Sequence, residues 1–303
     1  MAKLGIMIEG QDDLTWERWH RIIDRVESLG FESLWRSDHL TPLVRDETAE
    51  ALEAWISFAT LADRTNRVRF GPLVTPITFR YPAVLAKMAA SIDRLSNGRL
   101  EFGLGAAWHH REHKAFGLPY PPMAERFERL EESLQLTIAL WTHDNVNFNG
   151  KHYRLEDTIC HPKPAQSPHP PIIVGGNGKR RTLPLAAKYA NEWNGTSHQT
   201  PDEYRERREL LRGMCEGFGR DPDSVRCSLM ITLLIGRNES DLNARLERVR
   251  GIMVRHPEMA QATPASLVEN GWIAGTSSQV VEQIQQFEEA GVERFMLQIF
   301  DYD

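Results

Sequence analysis

Ser37, Asp38 and His39 end a short strand-like run, Ser33-Leu34-Trp35-Arg36, within the stretch Glu32–Leu40. Parallel α/β folds gather their chemistry at the carboxyl ends of their strands. An imidazole placed there can take or give a proton near neutral pH, and a neighbouring carboxylate can orient it. His39 is therefore expected to face a bound cofactor, with Asp38 helping to position it. The plainer reading makes Asp38 a turn cap and His39 a half-buried loop residue.

A second stretch, Gly175-Gly176-Asn177-Gly178-Lys179-Arg180-Arg181, follows the apolar run Ile172-Ile173-Val174 and opens a helical pattern. Glycines admit an anion close to the backbone, and a helix start offers unpaired N–H groups. With Lys179 and Arg181 adding charge, a phosphate seat is expected here; the alternative is a flexible turn with a solvated basic helix start. It is not a P-loop, which needs GxxxxGK[ST].

Gly103-Leu104-Gly105-Ala106-Ala107-Trp108 leads into His109, His110 and His113. The His109/His113 spacing suits one helical face, but Arg111 and Glu112 do not complete HExxH, so no metal is expected. No GxSxG elbow is present, so no Ser/His/Asp triad is assigned. Cys160, Cys215 and Cys227 are odd in number and lack CxxC spacing, which fits a reducing cytoplasm.

Repeated short apolar runs and amphipathic helices must position these residues. The strands are expected at Leu4–Ile8, Ser33–Arg36, Val68–Val74, Arg99–Gly103, Ile172–Val174, Glu192–Asn194, Cys227–Ile235 and Arg294–Phe300. The first helix should bury Trp16, Trp19, Ile22, Ile23, Val26 and Leu29, and Gly30 should cap it. A second should run Glu50–Arg64 with Leu52, Trp55, Ile56 and Ala59 inward, and a third should present Val84, Leu85, Met88, Ile92 and Leu95. Thr200 with Glu203, and Thr276 with Gln279, read as helix caps. Two excursions, about 145–171 and 256–272, break the alternation.

The pattern is α/β, a (β/α)8 TIM barrel with insertions after its strands, forming one domain over residues 1–303. An open doubly wound sheet ranks lower, because GxGxxG is absent after the first strand. The closing C-terminal helix is absent, which leaves room for a homodimer. Hydrophobic residues are 41%, charged residues 26%, and net charge is −6. No basic block suggests nucleic acid, and no apolar run suggests a membrane span or signal peptide.

Taken together and in order, several of these motifs resemble the bacterial luciferase-like family, in its branch using the deazaflavin coenzyme F420. They are Ser37-Asp38-His39, Thr78-Phe79-Arg80-Tyr81-Pro82-Ala83, Leu95-Ser96-Asn97-Gly98-Arg99, Gly103-Leu104-Gly105, Trp108 with Glu112, Ala115-Phe116-Gly117 and the Gly175–Gly178 turn. The resemblance implies a flavin-like ring at the barrel mouth, contacted by Ser37, Asp38, Leu73, Val74, Gly105, Ala106 and Trp108. The cofactor phosphate would lie on Gly175, Gly176, Asn177, Gly178, Lys179 and Arg181. A non-proline cis peptide is expected at Leu73–Val74.

The resemblance of the Asp-His pair to that of the deazaflavin branch implies F420 rather than FMN, and it implies that His39 is the general acid or base for hydride transfer to or from a small organic molecule. Trp108 stands where the sugar-phosphate dehydrogenases of the branch carry an acidic residue. A less polar substrate pocket is therefore expected, lined by Trp35, Glu9, Trp108 and Trp193. The alternatives are an FMN-dependent monooxygenase using molecular oxygen and a non-catalytic flavin-binding barrel.

Overall fold

The computed structural model describes residues 2–302. Its elements run β1 (Lys3–Ile8), α1 (Trp16–Ser28), β2 (Ser33–Arg36), α2 (Ala54–Arg64), β3 (Arg69–Pro72), β4 (Thr75–Pro76), α3 (Pro82–Leu95) and β5 (Phe102–Gly105). They continue α4 (His110–Ala115), α5 (Met123–Thr142), β6 (Val146–Asn149), β7 (Arg154–Thr158), β8 (Ile172–Gly175), α6 (Thr182–Tyr189), β9 (Glu192–Gly195) and α7 (Pro201–Gly217). The last are β10 (Arg226–Gly236), α8 (Glu239–Ile252), α9 (Pro264–Glu269), β11 (Ile273–Thr276), α10 (Ser277–Glu289) and β12 (Arg294–Ile299).

The main sheet is parallel and rolls into a ring. β12 pairs with β1, and β10, β9 and β8 lead round to β5. β3 and β4 are two pieces of one strand, parted at the cis Leu73–Val74 peptide. Both pieces meet the β5 segment, through Thr75↔Leu104 and the Phe70↔Leu100 bridge, so the (β/α)8 barrel closes. The expected excursion over 145–171 contains the β6–β7 hairpin.

Several sequence expectations shift. α2 begins at Ala54, capped by Glu53, and Ile56 faces solvent. Trp16 and Leu29 on α1, and Val84 and Leu95 on α3, are exposed; apolar spacing marks a stripe but not its edges. β5 starts at Phe102 rather than Arg99, whose guanidinium bonds the carbonyls of Ala62, Thr65 and Val68 instead. β11 was not expected, being four residues long and paired only with the end of β10. Both proposed capping boxes are present, at Thr200/Glu203 and Thr276/Gln279. Among the described residues no helix follows β12; instead Tyr302 is buried and its hydroxyl donates to the Glu9 carbonyl at 2.7 Å.

The barrel interior is layered, as the twofold alternation of strand side chains requires. Met7, Trp35, Leu73, Ile173 and Met296 form its apolar middle. Below them, Arg294 donates to Glu101 at 2.6 Å and lies 3.1 Å from Glu192. Burial pushes the Glu192 carboxyl up to about 7; Arg294 opposes this and Glu101 reinforces it. A carboxyl that binds its proton more tightly folded than unfolded stabilises the fold below its ordinary value of 4.5, and that advantage is lost as pH rises through about 7. Glu192→Gln should therefore raise the melting temperature relative to wild type more at pH 8 than at pH 5. A gap that narrows from pH 5 to pH 8 would contradict this account.

Candidate active site

β2 delivers His39 to the rim because its last residue is anchored outward. The buried Arg36 guanidinium donates to Ser57 Oγ at 2.8 Å and to the Leu52 carbonyl at 2.7 Å. The chain then turns inward, and His39 meets α4. His39 Nδ1–H donates to Glu112 Oε1 at 2.9 Å, and the Leu40 N–H donates to Glu112 Oε2 at 3.0 Å. Glu112 is itself buried. Burial disfavours the imidazolium, but the hydrogen bond and charge of Glu112 outweigh it, so the His39 pKa stands above its ordinary 6.5. With Nδ1 engaged, Nε2 is the nitrogen left to exchange a proton. Trp108 stands edge-on to the His39 ring, 5.6 Å between centroids.

Asp38 is placed differently from the sequence expectation. It is buried behind the strand ends, where Thr75 Oγ1 donates to it at 2.8 Å and Arg80 at 2.6 and 3.2 Å. Arg80 also binds Glu53. Asp38 thus fastens β2 to β4 and the start of α3 and does not line the cavity. The partner of His39 is Glu112, 73 residues away, which sequence spacing could not pair with it.

A cavity of about 1100 Å³ opens at the carboxyl ends of the strands, above the middle layer. Its floor carries a continuous polar chain. Ser37 Oγ donates to Gln11, and Gln11 donates to Glu9 Oε2 at 2.6 Å. Gln298 donates to Glu9 and accepts from Thr232 Oγ1. Glu9, Ser37, Thr232 and Gln298 all line the cavity. Of these, Thr232 and Gln298 were not anticipated from sequence, although each occupies the inward position near the end of a strand.

Val74 forms a shelf on the adjoining wall. A Cβ on Gly105 would lie 2.6 Å from its Cγ2, and one on Gly175 would lie 3.1 Å from its Cγ1. Leu73, Val74, Gly105, Ala106, Trp108, Gly175 and Gly176 line the cavity together. Beyond them, no described residue accepts from the N–H groups of Asn177, Gly178, Lys179, Arg180 or Arg181, leaving a row of free donors ahead of α6. The basic side chains do not join them. Lys179 pairs with Glu206 at 2.6 Å, and Arg181 lies over the Phe127 ring at 5.8 Å. The Asn177 amide bonds Thr196 and ties the turn to the loop after β9.

The cation at this end of the cavity is Arg126, buried on α5 beside Phe127. It donates through Nε to the Pro121 carbonyl at 3.1 Å and through Nη1 to Ala106 and Ala107, while Nη2 has no partner among the described residues. Its place in the first turn of α5 gave no sequence signal.

Two tryptophans expected in the pocket lie elsewhere. Trp35 fills the barrel below the cavity, its indole N–H donating to Ser33 Oγ at 2.8 Å. Trp193 points outward from β9 and stacks on Tyr204 of α7. Its neighbour Asn194 faces inward, as strand alternation dictates. His113 is hydrogen-bonded at both nitrogens, by the His109 carbonyl and Thr78 Oγ1. His109 Nδ1 instead approaches the Glu112 carboxylate, at 3.6 Å.

The closed barrel, with its active-site candidates at the strand carboxyl ends, is that of the luciferase-like flavin and deazaflavin enzymes. The chain belongs to the luciferase-like monooxygenase family, whose sequence profile matches residues 6–294. It is similar to an F420-dependent glucose-6-phosphate dehydrogenase of Intrasporangium calvum (strain ATCC 23552), 31% identical over 290 residues, covering 88% of this chain and 84% of that protein. Identity reaches 42% over 167 residues with the F420-dependent glucose-6-phosphate dehydrogenase of Amycolatopsis mediterranei (strain U-32). That match covers 55% of this chain and only about half, 48%, of the relative. An F420-dependent secondary alcohol dehydrogenase, solved with an F420-acetone adduct, superposes with a TM-score of 0.84 at 20% identity, covering 98% of this chain and 93% of that one. That last likeness is one of fold. No helix among the described residues is long and apolar enough to cross a membrane.

Proposed function

We propose that the protein is an F420-dependent oxidoreductase, passing hydride between the deazaflavin and a small organic molecule while His39 exchanges the accompanying proton. The observation that carries this reading is the half-buried His39, held by the buried Glu112, opening onto a cavity that continues to the donor-rich turn after β8. At about 1100 Å³ the cavity exceeds the usual span of single-ligand pockets, roughly 300–1,000 Å³, and has room for a tricyclic cofactor beside a substrate.

The residues present fit the cofactor. The Val74 shelf, kept low by Gly105 and Gly175, suits a flat ring, and the free N–H groups of 177–181 with Arg126 suit a phosphate. When bound, the deazaflavin supplies the hydride chemistry; the protein supplies orientation and proton management. Glu112 fixes the His39 tautomer so that Nε2 faces the cavity with a lone pair or a proton. Asp38 holds the strand ends in place, and the Glu9–Gln298–Thr232 chain presents hydrogen-bonding groups at the floor.

A fluorescence titration of the purified protein with oxidised F420 and, separately, FMN tests the reading. Selective F420 binding is expected. Preference for FMN, with oxygen consumption when reduced FMN is supplied, would replace it with the monooxygenase reading.

A further inference from the structure

We infer, on the strength of that reading, that the substrate is an uncharged, largely apolar alcohol or carbonyl compound seated against the wall built by residues 253–272, and not a phosphorylated sugar. The wall is a construction of its own. β10 continues past the barrel, and its end, Leu233–Gly236, pairs with β11. Over this extension Met253, Met259, Leu267 and Trp272 pack into a separate apolar cluster, and Phe300 stacks on Trp272 with ring centroids 6.1 Å apart. The loop facing them is pinned from below: Asp12 Oδ1 accepts the N–H groups of Leu43, Val44 and Arg45, each at 3.0 Å. Leu43 and Val44 thereby close the apolar surface that lines this part of the cavity.

The fixed charges disfavour an anion here. The permanently charged groups lining the cavity are the carboxylates of Glu9, Glu112 and Glu258 and the guanidinium of Arg126. The lining histidines already face acceptors: His39 bonds Glu112, His256 bonds Glu258, and His198 bonds the Asn270 carbonyl. Arg126 belongs to the opposite end, bonded to Ala106 and Ala107 and adjacent to Phe127, over which Arg181 lies. The arginines nearest the apolar wall are engaged elsewhere: Arg45 with Asp13, Arg250 with Glu247 and the Ala262 carbonyl, Arg255 with the Pro42 carbonyl and Glu47. A phosphate on that side would be desolvated beside carboxylates with no free arginine or lysine to pair it.

The proton chemistry narrows the class further. In oxidation the substrate carbon gives up a hydride to the deazaflavin, and the hydroxyl proton passes to His39 Nε2. The electron pair of the O–H bond becomes the second bond of the carbonyl. The reverse direction returns both. An alcohol–carbonyl pair uses one hydride and one proton at adjacent atoms, which is what His39 beside the ring shelf can serve.

The test is equilibrium binding to the protein loaded with oxidised F420, which holds a ketone without turnover. The methyl ketones from acetone to 2-octanone, and glucose 6-phosphate, are titrated while the cofactor's fluorescence is followed. The dissociation constant should fall about fourfold per added methylene until the wall is covered, and glucose 6-phosphate should bind weakly or not at all. In Met259→Ser and Leu267→Ser the series should flatten while F420 affinity stays the same. A flat or silent wild-type series, or tighter binding of glucose 6-phosphate than of the longer ketones, overturns the assignment. If F420 itself does not bind, the functional reading fails instead, so the two failures are separate.

Discussion

Replacing His39 with alanine should lower kcat by about 10²–10⁴-fold, the usual worth of a positioned acid or base, while leaving the dissociation constant for F420 nearly unchanged. His39 is the cavity-lining histidine whose Nδ1 is held by a buried carboxylate, that of Glu112, while Nε2 is left free. Its pKa stands above the ordinary 6.5 because the Glu112 hydrogen bond and charge outweigh burial, and an imidazole is a group that can give and take a proton. The cofactor contacts proposed above lie on other elements, the Val74 shelf and the turn after β8, so truncating the imidazole removes proton transfer without emptying the cofactor seat. Unchanged turnover would remove His39 from the chemistry. A parallel loss of F420 affinity would instead make it a ring contact.

The fold was legible because its signals are local and repeated. Short apolar runs alternate with amphipathic helices, and caps such as Thr200/Glu203 declare themselves within four residues. The site was legible only in outline. His39 and the turn after β8 stand at strand ends, where position alone suggests chemistry. Which side chain serves which role depends on contacts that spacing does not encode. Asp38 precedes His39 in the chain but turns to Thr75 and Arg80, while Glu112 comes from a different element.

The tryptophans make the same point. Trp35 and Trp193 are expected from sequence to line a less polar pocket, yet one lies a layer too deep and the other on the outward phase of its strand. An apolar wall emerges only once the segment 253–272 is folded back over β10. Lys179 and Arg181 look like phosphate ligands because they follow glycines, but Glu206 and Phe127 hold them, and the buried charge comes from Arg126.

Glu112→Gln should move the pH dependence of turnover and not merely scale it. In the direction of alcohol oxidation the neutral imidazole accepts the proton, so kcat/KM rises with pH through the His39 pKa and levels off above it. That midpoint stands above 6.5 in the wild type because the Glu112 carboxylate outweighs the burial that disfavours the imidazolium. Glutamine keeps the size and an acceptor for the Leu40 N–H but removes the charge, leaving burial unopposed by its main partner. The midpoint should therefore shift toward lower pH. In carbonyl reduction the imidazolium is the donor, and its activity, lost as pH rises, should be lost at lower pH in the variant. Both limbs must move in the same direction, since one pKa governs both. The amide can also donate to Nδ1 and favour the tautomer protonated at Nε2, so the oxidation plateau should drop as well. A role confined to stability would lower the amount of folded enzyme equally at every pH and leave the midpoint in place. Profiles that superpose after scaling would thus reduce Glu112 to a packing residue, whereas an acid shift with F420 affinity intact would establish it as the group that sets the proton affinity of His39.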